Sequence, residues 1–395
     1  MRRARDPRSA RQPARPAGLD AVLREWGRIG CIGFGGPPAH IGLLRDLCVE
    51  RRQWLSDREF QDAIAATNLL PGPASTQLAI YCAWRVGGAP GALVGGVSFI
   101  VPGLIAILAL SALFLAASPP HAVLGAGAGA GAAVPAVALH AGARLAPASW
   151  RGAASRSRWI AYGLAGVLAA AVLGAWVVAV LLACGALELT VQRGRFSDGT
   201  GAAVHAWPLL MVAGAASGGV LALAWVAFKV GALSYGGGFV IIPLMQHDAV
   251  DTYHWMTDAQ FLNAVALGQI TPGPVVHTVS VVGYAAAGLG GGLLAALVAF
   301  APSFAMVLVG AQRFDVLRAS PVVRAFLGGA GPAAIGAIAG AAVPLGLALS
   351  EAWQLAVLAA AAVALLVLRR GVVTTLIAAG AAGALAAALS APLPS

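Results

Sequence analysis

Asn68-Leu69-Leu70-Pro71-Gly72-Pro73-Ala74-Ser75-Thr76-Gln77 sits in an apolar chain, and Gln269-Ile270-Thr271-Pro272-Gly273-Pro274-Val275-Val276-His277-Thr278 follows it 201 residues later. Proline removes a backbone donor and collides with the preceding turn, so neither segment is the interior of an unbroken helix. The same shift lays Gly33-Phe34-Gly35-Gly36 on Ser234-Tyr235-Gly236-Gly237, Trp54 on Trp255, Asp57 on Asp258 and Phe60 on Phe261. From Gly33 to Gly91, 15 of 59 positions are identical without a gap, too many Gly, Pro and Trp in one register for low complexity. The chain reads as two homologous halves.

Of the 395 residues, 59% are hydrophobic and only 10% charged, where soluble domains carry about 25% charged residues. Residues 92–117, 122–143 and 352–368 are close to charge-free, near the ~20 residues a helix needs to cross hydrocarbon. An all-α polytopic membrane protein is expected. Its net charge of +10 then marks cytoplasmic loops rather than a nucleic-acid partner. Cys31, Cys48, Cys82 and Cys184 show no CxxC spacing and read as small core residues. Residues 1–17 hold six arginines and three prolines; they read as a disordered basic arm on the cytoplasmic side.

Charge sets the relative orientation of the halves. Arg45, Arg51, Arg52 and Arg58 fall in one loop, whose counterpart has Asp248, Asp251 and Asp258 and no cation. Arg144, Arg151, Arg156 and Arg158 face a counterpart holding only Glu351, and Arg313, Arg318 and Arg324 face an uncharged stretch. Basic short loops stay cytoplasmic, so inverted-topology repeats are expected, with the substrate site at the midplane where they meet. The division is a repeat at 18–192, a linker and connecting span at 193–228, and a second repeat at 229–395. Spans are expected at 92–116, 121–143, 158–174 and 175–191, with partners at 292–311, 323–347, 351–368 and 371–391. The 30 residues of 59–88 are too few for two crossings at ~1.5 Å per residue, and the arginines at 45–58 favour a half-depth hairpin.

Ser56 with Glu59 and Thr257 with Gln260 fit capping boxes, which gives Asp57 and Asp258 the role of first-turn carboxylates. Helices restarting at Ala74 and Val275 would offer free N–H groups to an anion. Lys229, the chain's only lysine, aligns with Arg28. Intramembrane cations are functional candidates, and anchoring at head groups is the competing reading. The candidate substrate-binding set is Arg28, Gly35, Gly36, His40, Asn68, Pro71, Gly72, Pro73, Thr76 and Gln77 in the first half. Lys229, Gly236, Gly237, Gln269, Thr271, Pro272, Gly273, Pro274 and His277 complete it in the second. No Walker A motif, GxSxG or metal-ligand pair is present, so neither an enzyme nor a cofactor is expected.

The Phe-Gly-Gly-Pro run with Ala39-His40-Ile41, then Asn68-Leu69-Leu70-Pro71-Gly72-Pro73 with Gln77, resembles the chromate ion transporter family. The Ser-Tyr-Gly-Gly-Gly-Phe run, Trp255-Met256-Thr257 and Thr271-Pro272-Gly273-Pro274 resemble that family's second domain. The resemblance covers residues 20–391, the long two-domain form. It implies a secondary carrier in the bacterial inner membrane that exports chromate, confers chromate resistance and is driven by the membrane potential or a proton gradient. Sulfate, a similar tetrahedral dianion, is the expected competitor. A carrier or channel for sulfate or another inorganic anion is the alternative. The lipid bilayer is the expected surrounding, nucleic acid is not a partner, and the resemblance leaves room for a homodimer.

Cysteine variants Arg51→Cys and Asp251→Cys test the inversion directly. Membrane-impermeant labelling of intact cells should reach position 251 and spare position 51; equal labelling of both from one side contradicts inverted halves.

Overall fold

The computed structural model describes residues 18–68, 70, 72–192, 218–234, 238–310 and 320–394. All regular structure among them is helical. The basic arm, residues 193–217 of the linker, Arg313 and Arg318 lie outside the described residues.

The first half opens with α1 (Leu19–Ile32), the Gly-rich turn at 33–36 and α2 (Pro37–Arg45), which continues as a π-turn (Asp46–Arg51). Helix α3 (Asp57–Thr67) then runs into the PGP break, and α4 (Ala74–Phe114) begins at Ala74 as expected. Both ends of the α3 cap are closed: Ser56 N–H donates to Glu59 at 2.8 Å and Glu59 N–H to Ser56 Oγ at 3.2 Å. Helix α4 is not one span. Gly87 and Gly88 leave helical geometry, with φ of 66° at Gly88, and the chain doubles back so that Gly91 and Gly95 pack on Ala83. Residues 74–86 are a half-depth arm and residues 89–114 the crossing arm. Glu59, in the first turn of α3, pairs with Arg85, at the end of the short arm. The two are therefore antiparallel arms of one hairpin with the PGP at its tip, each roughly 20 Å or less against ~30 Å of hydrocarbon.

Three helices complete this half: α5 (His121–Arg151), α6 (Arg156–Leu168, ending in a π-turn at Ala169–Leu173) and α7 (Val177–Gln192). Helix α5 outruns its expected end at 143 by two turns, because residues 145–151 continue it and Pro147 does not stop it. The connection to α6 shrinks to residues 152–155.

The second half repeats this order. Helix α8 (Gly219–Leu233) covers the counterpart of α1 at the 201 shift and begins one residue earlier, so residues 219–228 of the expected connecting span belong to it. Then come α9 (Ile242–Gln246) with its π-turn (His247–Thr252), α10 (Asp258–Ile270) with its own capping box, and α11 (Thr278–Gly310). The π-turns begin at Asp46 and His247, and left-handed residues follow at Gln53 and His254, each 201 apart. Helix α11 also reverses, at Gly288 with φ of 60°, so the register is 200 by this point. The lost residue falls in the short arm, which opens with a 3-10 turn (Val275–His277) where the first half is α-helical from Ala74. Helices α12 (Pro321–Gly340), α13 (Ala342–Leu347), α14 (Ala352–Ala362) and α15 (Val372–Ala388) close the half.

Among the described residues, four helical stretches are long and apolar enough to cross a membrane: Ala74–Phe114, His121–Arg151, Val275–Gly310 and Pro321–Leu347. In the first and third, the crossing is made by the part beyond the glycine reversal. The crossing arm of α4 turns Leu93, Val97, Val101 and Ile105 outward, the last 65% exposed. That i, i+4 stripe is a surface for lipid. Helices cross-pack between halves: α12 lies on α6 and α7, and α5 lies on α14 and α15. Small residues permit this. A Cβ at Gly166 would stand 1.9 Å from the Ala333 carbonyl, and one at Gly129 2.2 Å from that of Ala379. Close backbone approach is how helices associate where lipid removes the hydrophobic drive.

Candidate functional site

The two PGP corners and the ends of α1 and α8 meet inside the protein. The Gly273 N–H of the second PGP donates to the carbonyl of Gly33, in the first half's glycine turn, at 2.9 Å. Gly36 lies against Val275, and Gly72 lies against the Gly231 carbonyl and Ser303 Oγ. Each PGP corner thus rests on the other half's first helix end and crossing arm; Gly103 of the first crossing arm packs on the Pro272 carbonyl and His277. Gly35, Gly36, Gly72 and Gly273 all have positive φ, 115° at Gly72 and 91° at Gly273, conformations that glycine takes freely.

His40 is fully buried at this junction and joins its own half's two corners. Its Nε2 is 2.9 Å from the Gly33 carbonyl and its Nδ1 3.2 Å from Ser75 Oγ. A carbonyl only accepts, so Nε2 carries the proton and Nδ1 of the neutral ring accepts from the serine hydroxyl. Phe99 meets the ring edge-on, as Phe300 meets His277.

Several buried polar atoms around the corners lack a partner among the described residues: Thr76 Oγ1, Ser234 Oγ, Gln269 Nε2, Ser280 Oγ and Ser303 Oγ. Neither nitrogen of His277 makes a well-formed hydrogen bond there; the Ile100 backbone is a polar neighbour. Native interiors pair most such groups; of these, Thr76 comes from the first half and the rest from the second. Gln77 is fully buried beside them and reaches Met306 of the other half's crossing arm.

The structure brings His40, Gly72, Pro73, Thr76, Gln77, Gln269, Thr271, Pro272, Gly273, Pro274 and His277 together as buried residues of these corners, with Gly35 and Gly36 in the glycine turn. Pro71, Gly236 and Gly237 lie outside the described residues. Arg28 and Asn68 are exposed. Lys229 is buried, but its Nζ donates to Asp248 at 2.6 Å, with side chains only 10% and 9% exposed. The first half makes the corresponding tie with opposite polarity, Glu25 on α1 holding Arg52 beyond the π-turn. Ser234 and Ser303 were not singled out in sequence; Ser303 follows Pro302 as Gly103 follows Pro102, the signal that marks it. Cys48, Cys82 and Cys184 are buried, whereas Cys31 is exposed because α1 turns that side away from the core. The described residues contain no cluster of metal-ligating side chains.

The chromate transporter family profile matches residues 21–189 and 221–385. The chain belongs to the chromate transporter family. It is 34% identical to a chromate transport protein of Cupriavidus metallidurans, covering 80% of each chain. A probable chromate transport protein of Synechococcus elongatus is 30% identical over 83% of this chain and 84% of its own. A chromate transport protein of Pseudomonas aeruginosa is 30% identical over 85% and 83%. No solved structure matches the chain.

Truncating one member of a buried ion pair leaves an uncompensated charge, at a cost of about 3–5 kcal/mol. Lys229→Gln or Asp248→Asn alone should therefore lower the thermal midpoint of the purified protein strongly, and the double variant should recover most of the loss. Parent-like midpoints in both single variants would show that the pair contributes nothing to stability.

Proposed function

We propose that this chain is a secondary transporter that carries chromate out of the cytoplasm across the bacterial inner membrane, and so confers chromate resistance. The observation that carries the reading is the meeting of four broken corners around buried hydroxyl, amide and imidazole groups without partners. Irregular backbone at membrane depth is tolerated where protein buries it or where it lines a polar cavity. A tetrahedral dianion entering from water must have its hydration replaced by donors. Thr76, Ser234, Ser280 and Ser303 hydroxyls and the Gln269 amide supply them, beside the helix start at Ala74, whose dipole favours negative charge. The names of the relatives point to chromate among such dianions; sulfate, isosteric with it, is the expected competitor.

Inverted halves fit this role. Gly152, just after α5, and the start of α12, its counterpart, line one cavity, whereas Gly142, further back in α5, packs on Ala339 near the end of α12. Helices α5 and α12 therefore run in opposite directions, as repeats related by an in-plane two-fold do. We take residues 18–192 and 229–395 as the two repeats, joined by 193–228, with the arginine-rich faces and the N-terminal arm in the cytoplasm. Exchange of packing between the halves would open the corners to one side and then the other. The driving force in this reading is the membrane potential or proton gradient. The fit needs no cofactor and no catalytic step.

Energised inverted vesicles should accumulate radiolabelled chromate, and sulfate should compete. Gly72→Leu and Gly273→Leu should insert normally yet cut uptake at least about tenfold, because a side chain at these φ values is strained and crowds the corner. Parent-rate uptake in both variants would reduce the corners to packing features. Uptake that equilibrates without an imposed gradient would make the protein a channel.

A further inference from the structure

Far from the corners, four helix ends converge on a cavity of about 310 Å³. The 152–155 connection, the start of α6, the end of α7 and the start of α12 line it, with Ser155, Arg158, Trp159, Gln192 and Arg324 as its polar and aromatic wall. Helices α6 and α12 run side by side in the same direction, Gly163 against Pro332 and Gly336, Val167 against Gly340. Both N-termini, capped by Ser155 and Ser320, therefore open toward this end and add their positive dipole ends to the arginines.

The acid in the cavity wall is already spent. Glu188 is 2% exposed and accepts from Arg158 Nε at 2.8 Å, Arg158 Nη2 at 3.1 Å, Tyr162 OH at 3.0 Å and the Gln192 amide. That set fixes the Arg158 guanidinium and uses the carboxylate's lone pairs. Arg324 is exposed in the first turns of α12 and makes no ion pair among the described residues. Among the described residues, the cavity lining keeps a net positive charge.

The second half shows that the fold does not require these charges. At its matching corner, where α14 starts, α15 ends and α5 begins, Gln354 donates to the Ala128 carbonyl and Trp353 to that of Pro392. Leu124 stands there in place of Arg324 at the 200 register, and Gly383, packed on Gly129 as Glu188 is packed on Gly329, stands in place of Glu188. The same joint closes without an arginine. On the first corner, Trp150 and Trp159 meet edge to face and Arg156 lies over Trp150, the composition of a membrane boundary.

We propose that this cavity is a binding site for a phosphate-type oxyanion, held by Arg324 and the pre-set Arg158 between the two helix N-termini. A lipid phosphodiester headgroup and free phosphate share that chemistry, and arginine grips either with paired donors. The site is separate from the transport corners and rests on none of the residues assigned to them.

The purified full chain, stripped of lipid in detergent, can be titrated with phosphatidylglycerol, phosphatidylcholine or sodium phosphate while its thermal midpoint and Trp fluorescence are followed. Phosphatidylglycerol should raise the midpoint where phosphatidylcholine does not. Arg324→Gln, an exposed change that leaves the Arg158–Glu188 pair intact, should weaken that binding about tenfold or more, as loss of a charge-assisted contact does; Arg324→Lys should retain part of it. Sodium phosphate reproducing the effect, again with loss in Arg324→Gln, identifies free phosphate as the ligand; phosphatidylglycerol alone identifies the headgroup. The site is disproved if neither anion shifts the parent protein, or if Arg324→Gln responds as the parent does.

Discussion

A backbone N–H or C=O that leaves helical geometry inside a bilayer has no water to bond, and each orphan costs several kcal/mol. The bond from Gly273 N–H to the Gly33 carbonyl is where this chain meets that constraint most directly. It ties the PGP corner of one half to the glycine turn of the other, so neither break is complete by itself. The remaining features follow from it. His40 serves the same carbonyl, the crossing arms carry Gly103 and Ser303 where a corner must fit closely, and the long helices trade partners between halves around the junction. A helix broken for function is thereby held by a second helix broken at the matching place.

Charge is distributed by a second rule. Each half ties its first helix to the π-turn region with one ion pair, Glu25 with Arg52 just beyond the turn in one and Lys229 with Asp248 inside it in the other. The two pairs use different positions of the repeat, and their polarity is reversed, in keeping with loops of opposite charge. Lys229 is thus a buried cation whose charge is matched, and the positive character left at the corners comes from N–H groups and hydroxyls. Donors of that kind suit a weakly basic oxyanion that must be released as well as bound.

Much of this was legible in the sequence because it is local. Ser56-Asp57-Arg58-Glu59 and Thr257-Asp258-Ala259-Gln260 carry their own caps, and both form as read. Proline at 73 admits a helix start at Ala74 and nothing else nearby. The break between a half-depth hairpin ending at 88 and a span beginning at 92 is legible too, and the chain reverses there at Gly88; the packing of Gly91 on Ala83 that closes the reversal is not. The end of α5 was misplaced because arginines inside a helix and arginines in a loop read alike. Asp248 as the partner of Lys229, and Ser234 and Ser303 as members of the site, depend on contacts between distant segments that no spacing encodes.

Diffraction at the chromium absorption edge from crystals soaked in chromate would locate the bound anion without reference to any assigned residue. An anomalous peak within hydrogen-bonding reach of Thr76, Ser303 and the Gly72 and Gly273 corners is the expected result. A peak at Arg28, or none at the corners in a protein that still transports, would contradict the central claim that the four breaks form the path of the oxyanion.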